Sequence, residues 1–220
     1  MAERIPPPPL PPFGEEERAA EARRLAACLA RRRSLRHFSD RAVPRAVIEE
    51  ALRAAGSAPS GANQQPWHFV AVADPELKRA IRRAAEEEER RFYGGAAPGE
   101  WLEALAPLGT DEHKPFLEEA PWLIAVFEQR WSEQADGRRV KHYYATESVG
   151  IACGLLISVL HQCGLATLTH TPAPMAFLRR LLDRPASERP FLLLVVGHAA
   201  EGATVPDIQR RGLAEISTFR

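Results

Sequence analysis

The chain has 220 residues, 45% of them hydrophobic and 26% charged, a globular composition long enough to bury one substantial core and unlike that of a disordered chain. Lys plus Arg and Asp plus Glu number 29 each, so the net charge is zero and nothing global draws the chain to nucleic acid or to an anionic membrane. Cys28, Cys153 and Cys163 are odd in number and scattered, which argues against a disulfide framework and reads as the reduced thiols of a cytoplasmic protein.

In chain order, residues 1–14 read as a leader, proline-rich from Pro6 to Pro12, extended and poorly ordered. It has no basic segment followed by an apolar one and is not a signal peptide. Glu15 to Arg32 has helical composition, with Ala19, Ala22, Leu25, Ala26 and Leu29 on one face. A second helix is predicted from Pro44 to Ala55, and Gly56-Ser57-Ala58-Pro59-Ser60-Gly61 then breaks structure. Trp67 to Val72 is strand-like. Asp74-Pro75 opens a helix, Asp as N-cap and Pro at the first helical position, running through Glu86–Glu89 toward Gly94-Gly95.

Mixed Gly, Pro and isolated apolar residues between Gly94 and Pro121 read as a mobile insertion or lid. Trp122 to Phe127 is a buried strand, His142 to Gln162 the central helix, Leu165 to Thr171 a strand, Met175 to Leu182 a short helix and Phe191 to Gly197 an apolar strand. The apolar stretch from Val149 to Leu160 is shorter than the roughly 20 residues a bilayer demands and reads as a core helix. Ala203 to Arg220 is polar, predicted to be extended, and needs another surface to lie against. Helices interleaved with buried strands make an α+β or α/β domain, taken as residues 15–220.

Few residues announce chemistry by themselves. Arg31-Arg32-Arg33-Ser34-Leu35-Arg36 could grip a phosphate through guanidinium forks, although residue type alone favours a solvated helix end. Pro59-Ser60-Gly61-Ala62 could admit a ligand close to the backbone, or be an ordinary loop. There is neither a GxGxxG nor a P-loop, so a nucleotide would be held some other way. His68, His113, His142, His161, His170 and His198 lack metal-ligand spacing, and Ser148 lacks a nucleophile elbow. Glu89 and Tyr93 share a helical face, with Lys114 beyond. An anion, a phenol and a cation could together bind an amino-acid zwitterion, although plain surface charge is the commoner reading.

Taken together, these segments resemble the nitroreductase-type flavoproteins. Arg32-Arg33-Ser34-Leu35-Arg36-His37-Phe38-Ser39-Asp40 resembles their phosphate-binding opening, and Ala58-Pro59-Ser60-Gly61-Ala62 with Gln65-Pro66-Trp67 their second flavin loop. Thr167-Leu168-Thr169-His170-Thr171-Pro172 is similar to the strand end that meets the isoalloxazine edge, and Val205 to Arg211 to the C-terminal arm. Within that superfamily, Glu86 to Tyr93, Glu100-Trp101, Leu108-Gly109-Thr110 and Lys114 resemble the substrate lid of the iodotyrosine deiodinases.

The resemblance implies a nitroreductase-like fold with a mixed β-sheet flanked by helices. It also implies an intertwined homodimer that exchanges arms at about 203–220, and a lid at about 90–118. Arg32, Arg33, Ser34, Arg36 and Arg210 would take the FMN phosphate and ribityl chain. Pro59, Ser60 and Gly61 would pack on the partner's flavin, and Thr169, His170 and Thr171 would line its edge, with the Thr171 hydroxyl toward N5. Ala62 would offer its backbone to the substrate phenolate, and Glu89, Tyr93 and Lys114 would hold the zwitterion. His170 departs from the threonine usual there, and Asn63-Gln64-Gln65 also differs. The implied activity is reductive dehalogenation of halotyrosines by FMN, with an unidentified electron donor, since no nicotinamide fingerprint is present. The rivals are a nitro or quinone reductase of the same fold, a flavin-consuming relative that makes a benzimidazole, and a flavin sensor or storage protein.

Overall fold

The computed structural model describes residues 5–96 and 98–220 and divides into two compact units, Met1–Arg32 and Arg33–Arg220. The first four residues of the leader, and Ala97 in the lid, lie outside the described residues.

In the first unit, helix α1 (Glu15–Ala30) begins at Gly14, whose backbone N–H donates to Glu17 (2.9 Å). Three glutamates in the first turn suit the helix N-terminus. The apolar stripe is present, yet none of its residues is buried.

In the second unit, helix α2 (Arg45–Gly56) leads through a tight loop into strand β1 (Trp67–Val72). Helix α3 (Pro75–Arg91) starts where sequence places it, with the Asp74 carboxylate accepting from the Leu77 N–H (2.7 Å). The short helices α4 (Gly99–Leu105) and α5 (Phe116–Glu119) follow, then β2 (Trp122–Gln129), the hairpin β3 (Trp131–Glu133) and β4 (Arg139–Lys141), and helix α6 (Ala145–Gln162). Strand β5 (Ala166–His170), helix α7 (Ala176–Leu181), strand β6 (Glu188–Gly197) and helix α8 (Leu213–Ile216) complete it.

The main sheet has the order β1-β2-β6-β5, and every neighbouring pair is antiparallel. Among the described residues, the parallel component expected of a mixed sheet enters only as the isolated bridge between Ser34 and Thr167. Because side chains alternate along a strand, β2 feeds two cores. Leu123, Ala125 and Phe127 pack with Ile81, Leu117 and Leu178 on one face. Ile124 and Val126 pack with Ile48, Val149, Leu156 and Leu160 on the other. A strand buried on both faces must be apolar over its buried stretch, as β2 is from Trp122 to Phe127 and β6 from Phe191 to Val196.

Several segments differ from expectation. The hairpin was not anticipated, the expected lid contains helices, and the arm carries one helical turn. Helix α6 begins at Ala145 rather than His142, because Tyr144 is left-handed (φ 50°) and His142 Nδ1 hydrogen-bonds the Gln129 carbonyl (2.9 Å). At 18 residues α6 is long and apolar enough by composition to cross a membrane. Ser148, Val149, Ala152, Cys153, Leu156 and Leu160 are nevertheless buried, while Ile151 and Leu155 on its outer side are exposed.

Candidate functional site

Two cavities lie side by side in the second unit. One, about 380 Å³, is lined by Glu89, Tyr93 and Lys114 and by Leu168 to Ala173. The second, about 470 Å³, lies between Ser34 to His37, the segment from Pro107 to Phe116 and the start of the arm at Thr204 to Pro206. Arg36, Thr110 and Phe116 line both.

A network of charges on α3 positions the first cavity. Glu118 pairs with Arg79 (3.2 Å) and Arg82 (3.1 Å), and the buried Lys78 ammonium donates to the carbonyls of Glu118 (3.0 Å) and Ala120 (2.8 Å). Glu86 joins Arg82 (2.8 Å) and also accepts from the Lys114 backbone N–H (2.8 Å). Against the desolvation of its partial burial, these donors hold the Glu86 carboxyl below the usual range. A glutamate that reads as solvated in sequence thus fixes the backbone of Lys114 against the helix.

With its backbone fixed, the Lys114 side chain is driven inward, and the residue is only 2% exposed. Its ammonium lies 3.3 Å from Glu89, donates to Thr110 Oγ1 (3.3 Å) and to the Asp111 carbonyl, and stands 5.6 Å from the Tyr93 ring centroid. Burial pushes the Glu89 carboxyl up, against the pull of Lys114. Burial likewise raises the Tyr93 phenol, whose hydroxyl donates to the Thr110 carbonyl (3.2 Å). The three groups singled out from sequence spacing are therefore together. Phe92 and Trp101 (ring centroids 5.8 Å apart) line the same cavity with apolar surface.

The end of β5 also lines this cavity. Leu168 and His170 point to one face and Thr169, which is exposed, to the other. The His170 ring meets Phe116 edge-on at 5.7 Å, and its Nε2 is buried with no hydrogen-bond partner. Burial, reinforced by Lys114 and Arg36, depresses its pKa to about 3, so the imidazole is neutral at physiological pH. Thr171 is exposed at the cavity rim.

The basic opening is tied to this wall. The Leu35 N–H donates to the Thr167 carbonyl (3.2 Å), and the Ser39 N–H to the His198 carbonyl (3.0 Å). The Arg33 guanidinium donates to the Pro206 carbonyl at the start of the arm. Arg33, Ser34 and Arg36 are half-buried; Ser34 and Arg36 line the second cavity, Arg33 does not, and Arg210 lies farther along the exposed arm. Arg32 ends the first unit.

The remaining expected residues stand elsewhere. Pro59, Ser60, Gly61 and Ala62 are not among the residues lining either cavity. Gly61 is required for an internal reason, since a Cβ there would meet the Tyr143 carbonyl at 2.9 Å. The turn is nonetheless unusual, with Ala62 (φ 49°), Asn63 (φ 53°) and Gln65 (φ 48°) all left-handed without glycine. Each such residue stores strain of about 1–3 kcal/mol, and such strain clusters at ligand sites. Ser60 Oγ braces the turn by accepting from the Gln65 N–H (2.9 Å). Gln64 Oε1 braces it too, accepting from the Tyr143 N–H (2.8 Å).

The model of the nitroreductase family matches residues 29–198. The iodotyrosine deiodinase of Haliscomenobacter hydrossis is 52% identical over 204 residues, covering 93% of this chain and 92% of that protein. Human iodotyrosine deiodinase 1 is 42% identical over 205 residues, covering 93% and 71% respectively. Among solved structures, oxidised iodotyrosine deiodinase bound to FMN and 3-iodo-L-tyrosine superposes with a TM-score of 0.77 at 31% identity. That match covers 89% of this chain and 100% of that one.

Proposed function

The chain belongs to the nitroreductase family, within its iodotyrosine deiodinases, and we propose that it uses FMN to remove halide reductively from halotyrosines, turning iodotyrosine into tyrosine and iodide. The observation that carries this reading is the meeting of Glu89, Tyr93 and Lys114 in one cavity that Leu168 to Ala173 also line. Bound FMN supplies the electrons for carbon–halogen cleavage.

The chain's own residues bind, orient and exclude water. Glu89 accepts from the substrate ammonium and Lys114 donates to its carboxylate, with Tyr93 hydrogen-bonding between them. Glu89 and Lys114 are buried and paired with each other. A zwitterion exchanges that one internal bridge for two external ones and strands neither charge. A plain phenol has nothing to offer either. Phe92 and Trp101 supply apolar cover, and the segment at about 90–118 closes over the substrate.

The residues present suit FMN. Ser34 and Arg36 present donors to the second cavity, and Arg33 and Arg210 would complete a phosphate grip. The partnerless Nε2 of His170 calls for a polar ligand at the end of β5, where the Thr171 hydroxyl would approach flavin N5. Pro59, Ser60, Gly61 and Ala62 serve the flavin and substrate of a second subunit in an intertwined homodimer. Two features support this: their absence from both cavity walls, and the exposed apolar residues Ile151 and Leu155 on α6 and Leu213, Ile216 and Phe219 on the arm. A cytoplasmic location accords with cysteines that form no disulfide among the described residues.

The test is titration of the FMN-loaded protein with iodotyrosine and with iodophenol, following flavin fluorescence, then anaerobic reduction and addition of each compound. Iodotyrosine is expected to bind far more tightly and to reoxidise the flavin with release of iodide. Equal binding of the two, with reoxidation only by a nitroarene, would make the chain a general nitroreductase.

A further inference from the structure

His170 carries a polar atom that the fold itself does not explain. The residue is 7% exposed, on a strand position facing the same side as the buried Leu168. Its Nε2 is the one buried side-chain nitrogen or oxygen among the described residues without a hydrogen-bond partner. Leaving such an atom unsatisfied costs about 1–3 kcal/mol, so an interior histidine normally has a backbone or side-chain partner. His142 shows the ordinary solution in this chain, with Nδ1 against the Gln129 carbonyl at 2.9 Å.

The ring is also held in place. Phe116 stands edge-on to it at 5.7 Å, and the Phe116 backbone belongs to α5, which α3 pins through Glu118. The ring therefore cannot swing away to find another acceptor without disturbing the core. It lines the cavity that also holds Lys114 and Arg36, and those two cations, together with burial, keep it neutral. A neutral imidazole carries one N–H donor and one acceptor nitrogen.

We propose that His170 contacts the flavin directly, its Nε2–H donating to an acceptor atom on the isoalloxazine edge and raising the flavin's reduction potential. This rests on the FMN reading given above. The donor role follows from the ligand's chemistry. The polar edge of oxidised isoalloxazine carries two carbonyl oxygens and two imine nitrogens as acceptors against a single N–H. Reduction adds two electrons and at least one proton, and negative charge grows on those acceptor atoms. A fixed neutral donor buried beside them binds the reduced form more tightly than the oxidised form, because charge-assisted hydrogen bonds are the stronger ones.

The experiment is anaerobic reduction of the FMN-loaded full chain by dithionite against a reference dye, for the parent, His170→Leu and His170→Asn. His170→Leu is expected to lower the midpoint so that the ratio of reduced to oxidised flavin at a fixed potential falls about tenfold, or about 30 mV for a two-electron couple. His170→Asn, which keeps an N–H, is expected to recover at least half of that shift. A second measurement uses the parent alone, with histidine labelled by nitrogen-15. One side-chain N–H resonance should be protected from solvent exchange in the FMN-bound protein and should move when the flavin is reduced. Equal midpoints in all three proteins, or the absence of any histidine N–H resonance that responds to reduction, overturns the proposal while FMN binding stands. A parent that retains no FMN overturns the deiodinase reading as well.

Discussion

Removing the charges of Glu89 and Lys114 one at a time and then together separates what this pair does for the fold from what it does for the substrate. At 3.3 Å and an effective dielectric of about 20, their gross attraction is roughly 5 kcal/mol, offset by the desolvation of both groups. The two single changes should not be equal. In Lys114→Met the Glu89 carboxylate loses its cation in a site where burial already pushes its pKa up, and the loss of stability should be about 3 kcal/mol. In Glu89→Gln the ammonium keeps Thr110 Oγ1 and the Asp111 carbonyl, so the loss should be nearer 1–2 kcal/mol, roughly that of a single hydrogen bond to a charge. The double variant strands neither group and should return to within about 1 kcal/mol of the parent. Iodotyrosine affinity should behave differently. Each single variant and the double should all bind about 5- to 150-fold more weakly, since about 1–3 kcal/mol is lost whenever an intermolecular charge contact is missing. Urea unfolding at constant FMN excess reads the first quantity and flavin fluorescence quenching reads the second. A double variant that binds iodotyrosine like the parent would refute the exchange of one internal bridge for two, as would single variants that leave both quantities unchanged.

Arg210→Ala should release FMN more readily, by the roughly 1.5–3 kcal/mol of a charge-assisted bond, measured by ultrafiltration and absorbance; unchanged retention would remove the arm from the cofactor site. Light scattering should find a dimer, and Ile151→Glu with Leu155→Glu should weaken it and release FMN with it; a monomer that keeps its flavin would contradict the shared site. His170 makes stability depend on acid. Between its ordinary pKa of 6.5 and about 3 the unfolded chain binds a proton that the folded chain refuses, so stability is lost as pH falls through that window. The slope is at most about 1.4 kcal/mol per pH unit, and His170→Thr should flatten it by that amount in urea titrations; equal slopes would show the imidazole to be solvated.

The fold was most legible where local chemistry and tertiary need coincide. Asp74-Pro75 starts α3 in any context, and Trp67 to Val72, β-branched and aromatic between breakers, forms β1 over the very residues expected. Legibility failed where a tertiary partner overrides the local signal. Glu188 and Arg189 look unlike a buried strand, yet β6 begins at Glu188 because Arg184 neutralises that carboxylate through two contacts of 2.7 Å. The hairpin β3–β4 was missed because its strands are three residues each and rich in charge. Asp136-Gly137 between them, with Gly137 at φ 79°, was the turn signal that could have found it.

The site was legible in a different way, through residue type and order rather than burial. Spacing on one helical face was enough to pair Glu89 with Tyr93, because four residues bring side chains into register on any helix. Nothing local could reveal that Lys114 is buried. Its environment depends on Glu86 capturing its N–H from 28 residues away, and Glu86 sits in a run of four glutamates whose composition is that of a surface. The same limit explains His170. Alternation along β5 puts it on the face of Leu168, but whether a buried imidazole finds a partner depends on what the neighbouring helices leave within reach, and here they present Phe116. Segments that answer to their own neighbours can be read from sequence. Buried polar groups answer to distant ones, so the residues that set this site's chemistry had to be found in three dimensions.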